Sequence, residues 1–140
     1  MKIFLAGIMQ GSLPGNDIHS QDYRRRLKDI ISRHCRQAQI ICPWEIFPDS
    51  VSYGPERAKQ TLLAMMEEAG RADVVVAYLP EASMGTALEM WKAFEAGRVV
   101  LSISPLRYNW VVQCLSQRVF EDLAEFEAFV AGGGLEAMSP

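Results

Sequence analysis

The residues best suited to chemistry lie in one short run, Ser83-Met84-Gly85-Thr86-Ala87-Leu88-Glu89. Ser83 is placed to cap a helix N-terminus, where its hydroxyl and the N–H groups around Gly85 form a ready site for an anion or a sugar oxygen. Glu89 then falls in the second helical turn, near enough to the positive end of the dipole that its carboxylate is expected to stay ionised at neutral pH. An ionised carboxylate beside such a site is a candidate nucleophile. The same spacing equally suits a simple cap followed by a solvated glutamate. A second segment, Gly7 to Gly15, contains Gln10, Gly11 and Ser12, and its glycines permit close approach of backbone to a ligand. It has neither the Lys-Ser/Thr ending of a P-loop nor a clean G-x-G-x-x-G.

The pattern around these segments predicts alternating strands and helices. Ile3 to Ala6 is a short apolar strand closed by Gly7, and a flexible loop follows. A helix runs from Ser20 to about Arg36 with Tyr23, Leu27, Ile30, Ile31 and His34 at helical spacing, and Arg24, Arg25 and Arg26 read as its solvated face. Ala38 to Cys42 is the second strand, stopped by Pro43. The segment Trp44 to Gly54 is a long, aromatic-rich connector, which favours a functional role; Trp44 and Tyr53 suit stacking on a base or packing in an interface.

Pro55 opens a helix to about Ala69, with Leu62, Leu63 and Met66 as its apolar stripe and Gly70 as its terminator. Asp73 to Leu79 is a continuous apolar run of the kind that fills a central parallel strand. Gly85 to Ala96 is the helix behind Ser83, and Val99 to Ile103 the fourth strand. Asn109 to Leu115 reads as a short helix, Arg118 to Phe120 as an edge strand, and Glu121 to Ala131 as a last helix before a Gly132-Gly133-Gly134 tail. Right-handed crossovers turn this order into a doubly wound α/β domain, whose ligands bind beyond the carboxyl ends of the strands.

Composition narrows the partners. With 14 Lys plus Arg against 17 Asp plus Glu, the net charge of −3 gives no footprint for duplex nucleic acid. The three cysteines, Cys35, Cys42 and Cys114, lack paired spacing, so neither a disulfide framework nor a zinc site is expected. No apolar stretch has the length of a signal peptide or membrane span, which makes a cytoplasmic protein the expectation. The 140 residues suit a single domain.

The Ala72 to Ser104 segment, with its Asp-Val-Val-Val-Ala-Tyr-Leu-Pro strand and its Ser83-x-Gly85-Thr86-x-x-Glu89 turn, resembles the nucleoside 2-deoxyribosyltransferase family, including related deoxynucleoside 5′-monophosphate N-glycosidases. The opening Ile3-Phe4-Leu5-Ala6-Gly7 is similar to that family's first strand and loop. The resemblance implies a flavodoxin-like doubly wound parallel five-stranded sheet in a homo-oligomer, acting on a nucleoside or nucleotide at its N-glycosidic bond without metal or organic cofactor. Glu89 would attack C1′, Ser83 and Gly85 would hold the sugar 5′ end or its phosphate, and Gly7, Gln10, Gly11 and Ser12 would lie against sugar or base. Asn109 falls where members reach a neighbouring subunit's site. Ser83 stands where transferases typically have Asp, which favours a 5′-monophosphate and hydrolysis; base exchange between deoxynucleosides and non-catalytic nucleotide binding stay open. Relatives often carry an Asp eight residues before the position of Asp73, where this chain has Met65. Help for the leaving base is therefore expected from Glu67, Glu68 or the Trp44 to Tyr53 aromatics.

Overall fold

A computed structural model describes residues 1–138. Five parallel strands, β1 (Lys2–Gly7), β2 (Gln39–Ile41), β3 (Val74–Tyr78), β4 (Val99–Ile103) and β5 (Arg118–Phe120), form one sheet in the order β2-β1-β3-β4-β5. Between and after them lie α1 (Asp22–His34), α2 (Pro43–Ile46), α3 (Pro55–Arg71), α4 (Met84–Glu95), α5 (Trp110–Leu115), α6 (Leu123–Ala131) and α7 (Gly134–Ala137). This is the flavodoxin-like doubly wound architecture that the alternation of elements predicts.

Strand side chains alternate between two apolar layers, as the period of two requires. Ile3, Leu5, Val74, Val76, Leu101 and Ile103 face α1 and α6, joining Leu27, Ile31, Phe126 and Val130. Phe4, Ala6, Val75, Ala77 and Val100 face α3 and α4, against Met65, Ala69, Met90 and Ala93. With both faces covered, the central strands must be apolar throughout, and Ile3 to Ala6 and Val74 to Ala77 are fully buried.

Strand order reverses between β1 and β3, which pair from Ile3↔Val74 to Gly7↔Tyr78. β1 leads to β2 on one side through α1, and β2 returns to β3 on the other through α3. The loops that leave β1 and β3 diverge from this point, and a crevice opens between them.

Several local expectations are revised. α1 begins at Asp22, its backbone N–H donating to Ser20 Oγ at 3.3 Å, so Ser20 supports the turn before the helix. The aromatic connector contains α2 and a 3₁₀ turn, Ser50–Ser52. α3 continues through Gly70, which lies against the backbone of α4; a Cβ there would meet Lys92 O at 3.5 Å, an ordinary contact, so the glycine expected to end the helix is simply carried inside it. The buried stripe of α3 is Met65 and Ala69, while Leu62 and Leu63 are exposed, one step round the helix from the expected face. The chain after Gly132 forms α7, whose Leu135 is completely buried.

Gly7 is required for a different reason. A Cβ there would overlap the Tyr23 hydroxyl and approach its ring to 2.8 Å, and Tyr23 is buried, stacked on Tyr78 at 4.2 Å and bonded through its hydroxyl to Ile8 O at 2.9 Å. Gly7→Ala is expected to cost about 1–3 kcal/mol by overpacking, read as a lowered melting temperature. An unchanged melting temperature would mean that Tyr23 yields freely.

Candidate active site

Ser83 caps α4 as its residue type predicts: Thr86 N–H donates to Ser83 Oγ at 3.4 Å, and the two hydroxyls are 2.9 Å apart. Beyond its chain neighbours and its own helix backbone, Gly85 has no atom within 4 Å of where a Cβ would stand, so open space adjoins this helix end. That space is part of a cavity of about 400 Å³ lined by Gly7, Gln10, Gly11, Ser83, Gly85 and Glu89. Six of the eight residues expected to form the site thus meet. Ser12 and Asn109 line a neighbouring cavity of about 310 Å³, which shares Gly11, Ser83 and Met84 with the first. Asn109 Oδ1 accepts from Val111 N–H at 3.0 Å, capping α5.

The loop after β1 is extensively tied. His19 N–H donates to Met9 O at 2.7 Å, and Gln21 Nε2 donates to both Ile8 O and His19 O. Gly11 has φ +54°, with the His19 ring and Ile8 crowding the place of a Cβ, a conformation and a closeness that favour glycine. His19 Nε2 also approaches Glu81 Oε1 at 3.1 Å, linking this loop to the one that leads into α4.

Glu89 is the sole carboxylate among the residues lining the larger cavity. Burial pushes its pKa up to about 8, against the opposing pull of the Arg24 guanidinium. The expectation of an ionised carboxylate at neutral pH is therefore corrected. Dipole stabilisation fades within the first turn and is worth about 0.3–1 kcal/mol, whereas removing a carboxylate from water is far more costly. Part of Glu89 remains accessible from the cavity, so water there tempers the desolvation.

Arg24 is the second correction. It is buried, only 4% exposed, and it lines the same cavity. Its Nη1 donates to Leu5 O at 3.0 Å, Nη2 to Gly7 O at 3.1 Å and Nε to Gln21 Oε1 at 2.7 Å. Arg25 and Arg26 do lie on an exposed face. The overlooked signal was spacing: position 24 stands three and seven residues before Leu27 and Ile31, on the buried stripe of α1.

The remaining wall comes from the connector and α3. Phe47, Val51, Tyr53, Leu62 and Met65 give it an apolar, aromatic character, with Ser50 and Thr61 as neutral polar groups. Trp44 instead packs against the α1 side of the core. Glu67 and Glu68 do not reach the cavity: Glu68 pairs with Lys2 at 2.9 Å and Glu67 lies 3.6 Å from Lys92. Lys2 holds the Glu68 carboxyl below its usual range. The helix turns these two glutamates away, so any protein help for a leaving group comes from other residues. Among the described residues, no cluster of three or more His, Cys, Asp or Glu is arranged for a metal ion, and no helix is long and apolar enough to cross a membrane.

Neither the protein-family models nor the curated proteins contain a match to this sequence. Solved structures do share its fold. A 2-deoxyribosyltransferase from Bacillus psychrosaccharolyticus superposes with a TM-score of 0.68 at 19% identity, covering 91% of this chain and 90% of its own. A conserved protein from Enterococcus faecalis V583 gives 0.66 at 19% identity over 95% and 98% of the two chains. The CMP N-glycosidase BcmB of Clostridium botulinum gives 0.54 at 15% identity over 91% and 95%. At these identities the likeness establishes a common fold.

Proposed function

We propose that this chain is an enzyme that cleaves the N-glycosidic bond of a nucleoside or nucleoside 5′-monophosphate. The observation that carries the reading is Glu89, the one carboxylate lining a cavity shared with the capped end of α4 and the glycine loop after β1. Two of the fold's neighbours, a deoxyribosyltransferase and a CMP N-glycosidase, act on such compounds, which supports it.

In this reading the ionised Glu89 attacks C1′ as the bond from C1′ to the base breaks. The bonding pair leaves with the base nitrogen, which takes a proton from solvent. Water then attacks C1′ of the glycosyl ester, releases the sugar and restores Glu89, with configuration retained overall. Gly7, Gln10 and Gly11 lie against sugar or base, Ser83 and Gly85 hold the 5′ end, and the Phe47 and Tyr53 wall receives the base. A serine hydroxyl can donate to a 5′-phosphate, as the carboxylate usual in transferases could not. The homo-oligomer reading rests on Leu63, Leu88, Trp91 and Phe94, apolar side chains left exposed on α3 and α4; Ser12 would lie with the glycine loop against sugar or base, and Asn109 would complete a partner's site.

Base exchange is the second reading, favoured by the deoxyribosyltransferase neighbour. One assay separates the two. Deoxynucleosides and their 5′-monophosphates are incubated with and without a second free base, and products are resolved by chromatography. Hydrolysis leaves free sugar or sugar phosphate, whereas transfer makes a new nucleoside. Tight binding without base release would instead identify a non-catalytic nucleotide-binding module.

A further inference from the structure

Arg24 presents an unusual energetic choice. Taking a guanidinium out of water costs several kcal/mol unless its charge and its donors are met. Its ties to Leu5 O, Gly7 O and Gln21 Oε1 engage three of its five N–H groups, all with neutral acceptors. Among the described residues no carboxylate lies within ion-pair distance of it. A neutral amide side chain would meet backbone carbonyls without burying a charge, so the hydrogen bonds alone do not account for an arginine here.

The guanidinium carbon lies 5.0 Å from the centroid of the Tyr23 ring, which meets part of its charge, and its one anionic counterpart is Glu89, which lines the same cavity. We infer that Arg24 is the electrostatic partner of Glu89: held against the carboxyl end of β1, its guanidinium acts across the cavity they share and sets the charge with which that carboxylate meets a substrate. The remaining titratable groups around Glu89 are Tyr23 of α1 and, acting on Tyr23 in turn, Tyr78 at the end of β3 and Cys42 before α2. None of these carries positive charge in any protonation state, and among the described residues lining the cavity Arg24 is the sole cation; His19, behind Gly11, faces Glu81 instead. Its direction of action agrees, since it lowers the Glu89 pKa while burial raises it. Gln21 extends the arrangement by bonding Arg24 and the Ile8 and His19 carbonyls together, so one clasp fixes both the cation and the glycine loop.

The kinetic part of this inference rests on the proposed N-glycosidase reading, but its primary test does not. Protein labelled with ¹³C-carboxyl glutamate is titrated by NMR, with the Glu89 signal identified by its loss in Glu89→Gln. Arg24→Gln keeps hydrogen-bonding capacity without charge, Arg24→Met removes both, and Arg24→Lys keeps charge in a different shape. The Glu89 midpoint is expected to rise by about one pH unit or more in the Gln and Met variants, a tenfold loss of ionised form at neutral pH, and to return most of the way in Lys. Base release should follow, with kcat down about tenfold at pH 7, its pH profile displaced to higher pH and KM within about threefold. An unchanged Glu89 midpoint in folded Arg24→Gln would overturn the inference; should Met fail to fold, Gln and Lys decide. If no nucleoside is cleaved by the unmodified protein, the proposed function falls, and the Glu89 titration still decides the role of Arg24.

Discussion

Glu89→Gln is expected to lower base release by a factor on the order of 10³ or more, while nucleoside affinity changes only a few-fold. Removing a covalent nucleophile abolishes the two-step route, and such substitutions have very large effects on kcat in enzymes that depend on one. Glutamine keeps the size of the side chain in a cavity that Ser83, Gly85 and Gly7 also line, so binding should largely survive. Initial rates of base release and equilibrium binding of the same nucleoside check the two halves separately. Full turnover in the variant would end the nucleophile assignment.

The same residue is expected to set the pH profile. With a pKa of about 8, roughly one molecule in ten has Glu89 ionised at pH 7 before substrate arrives. The expected kcat/KM of the unmodified protein rises with pH until Glu89 is ionised, levelling near or above pH 8. A profile flat from pH 6 to 9 would place the controlling ionisation elsewhere.

What the sequence revealed follows from the range of the forces involved. The strands of the sheet were legible because a doubly covered strand must be apolar at every position, and Val74 to Ala77 meets that demand by itself. Ser83 was legible because capping is local, completed by Thr86 three residues on. Arg24 was not, because the acceptors that make its burial tolerable are carbonyls 17 and 19 residues away on β1. The charge state of Glu89 was misread for a related reason. Its helix position is local information, but its desolvation arises from segments far away in sequence that wall the same cavity, which no spacing within the helix records. On α3, Leu62 and Leu63 looked like core by hydropathy, yet Met65 and Ala69 are the residues that the helix turns into the core. Leu62 was thereby left to line the cavity with Met65.

A carboxyl that burial keeps protonated in a cavity wall also has a thermodynamic consequence that needs no substrate to detect. The folded protein holds the Glu89 proton up to about pH 8, whereas the unfolded chain releases it near the ordinary value of 4.5. Between those values the folded state binds more protons, so the contribution of Glu89 to stability falls as pH rises and reaches its least favourable value above pH 8. Allowing for the cavity water, the penalty is on the order of 3 kcal/mol. Glu89→Gln carries no such burden. Its melting temperature is expected to exceed that of the unmodified protein by roughly 10 °C at pH 8.5, with the gap narrowing steadily toward pH 5. Glu68 acts in the opposite sense, since Lys2 lowers its pKa and its stabilisation is lost on acidification, but it is common to both proteins and cancels from the difference. Paired thermal melts across this range give the result directly. A gap that stays constant from pH 5 to 8.5 would show that Glu89 is ionised in the folded state throughout, and both the raised pKa and the alkaline activity profile would be withdrawn.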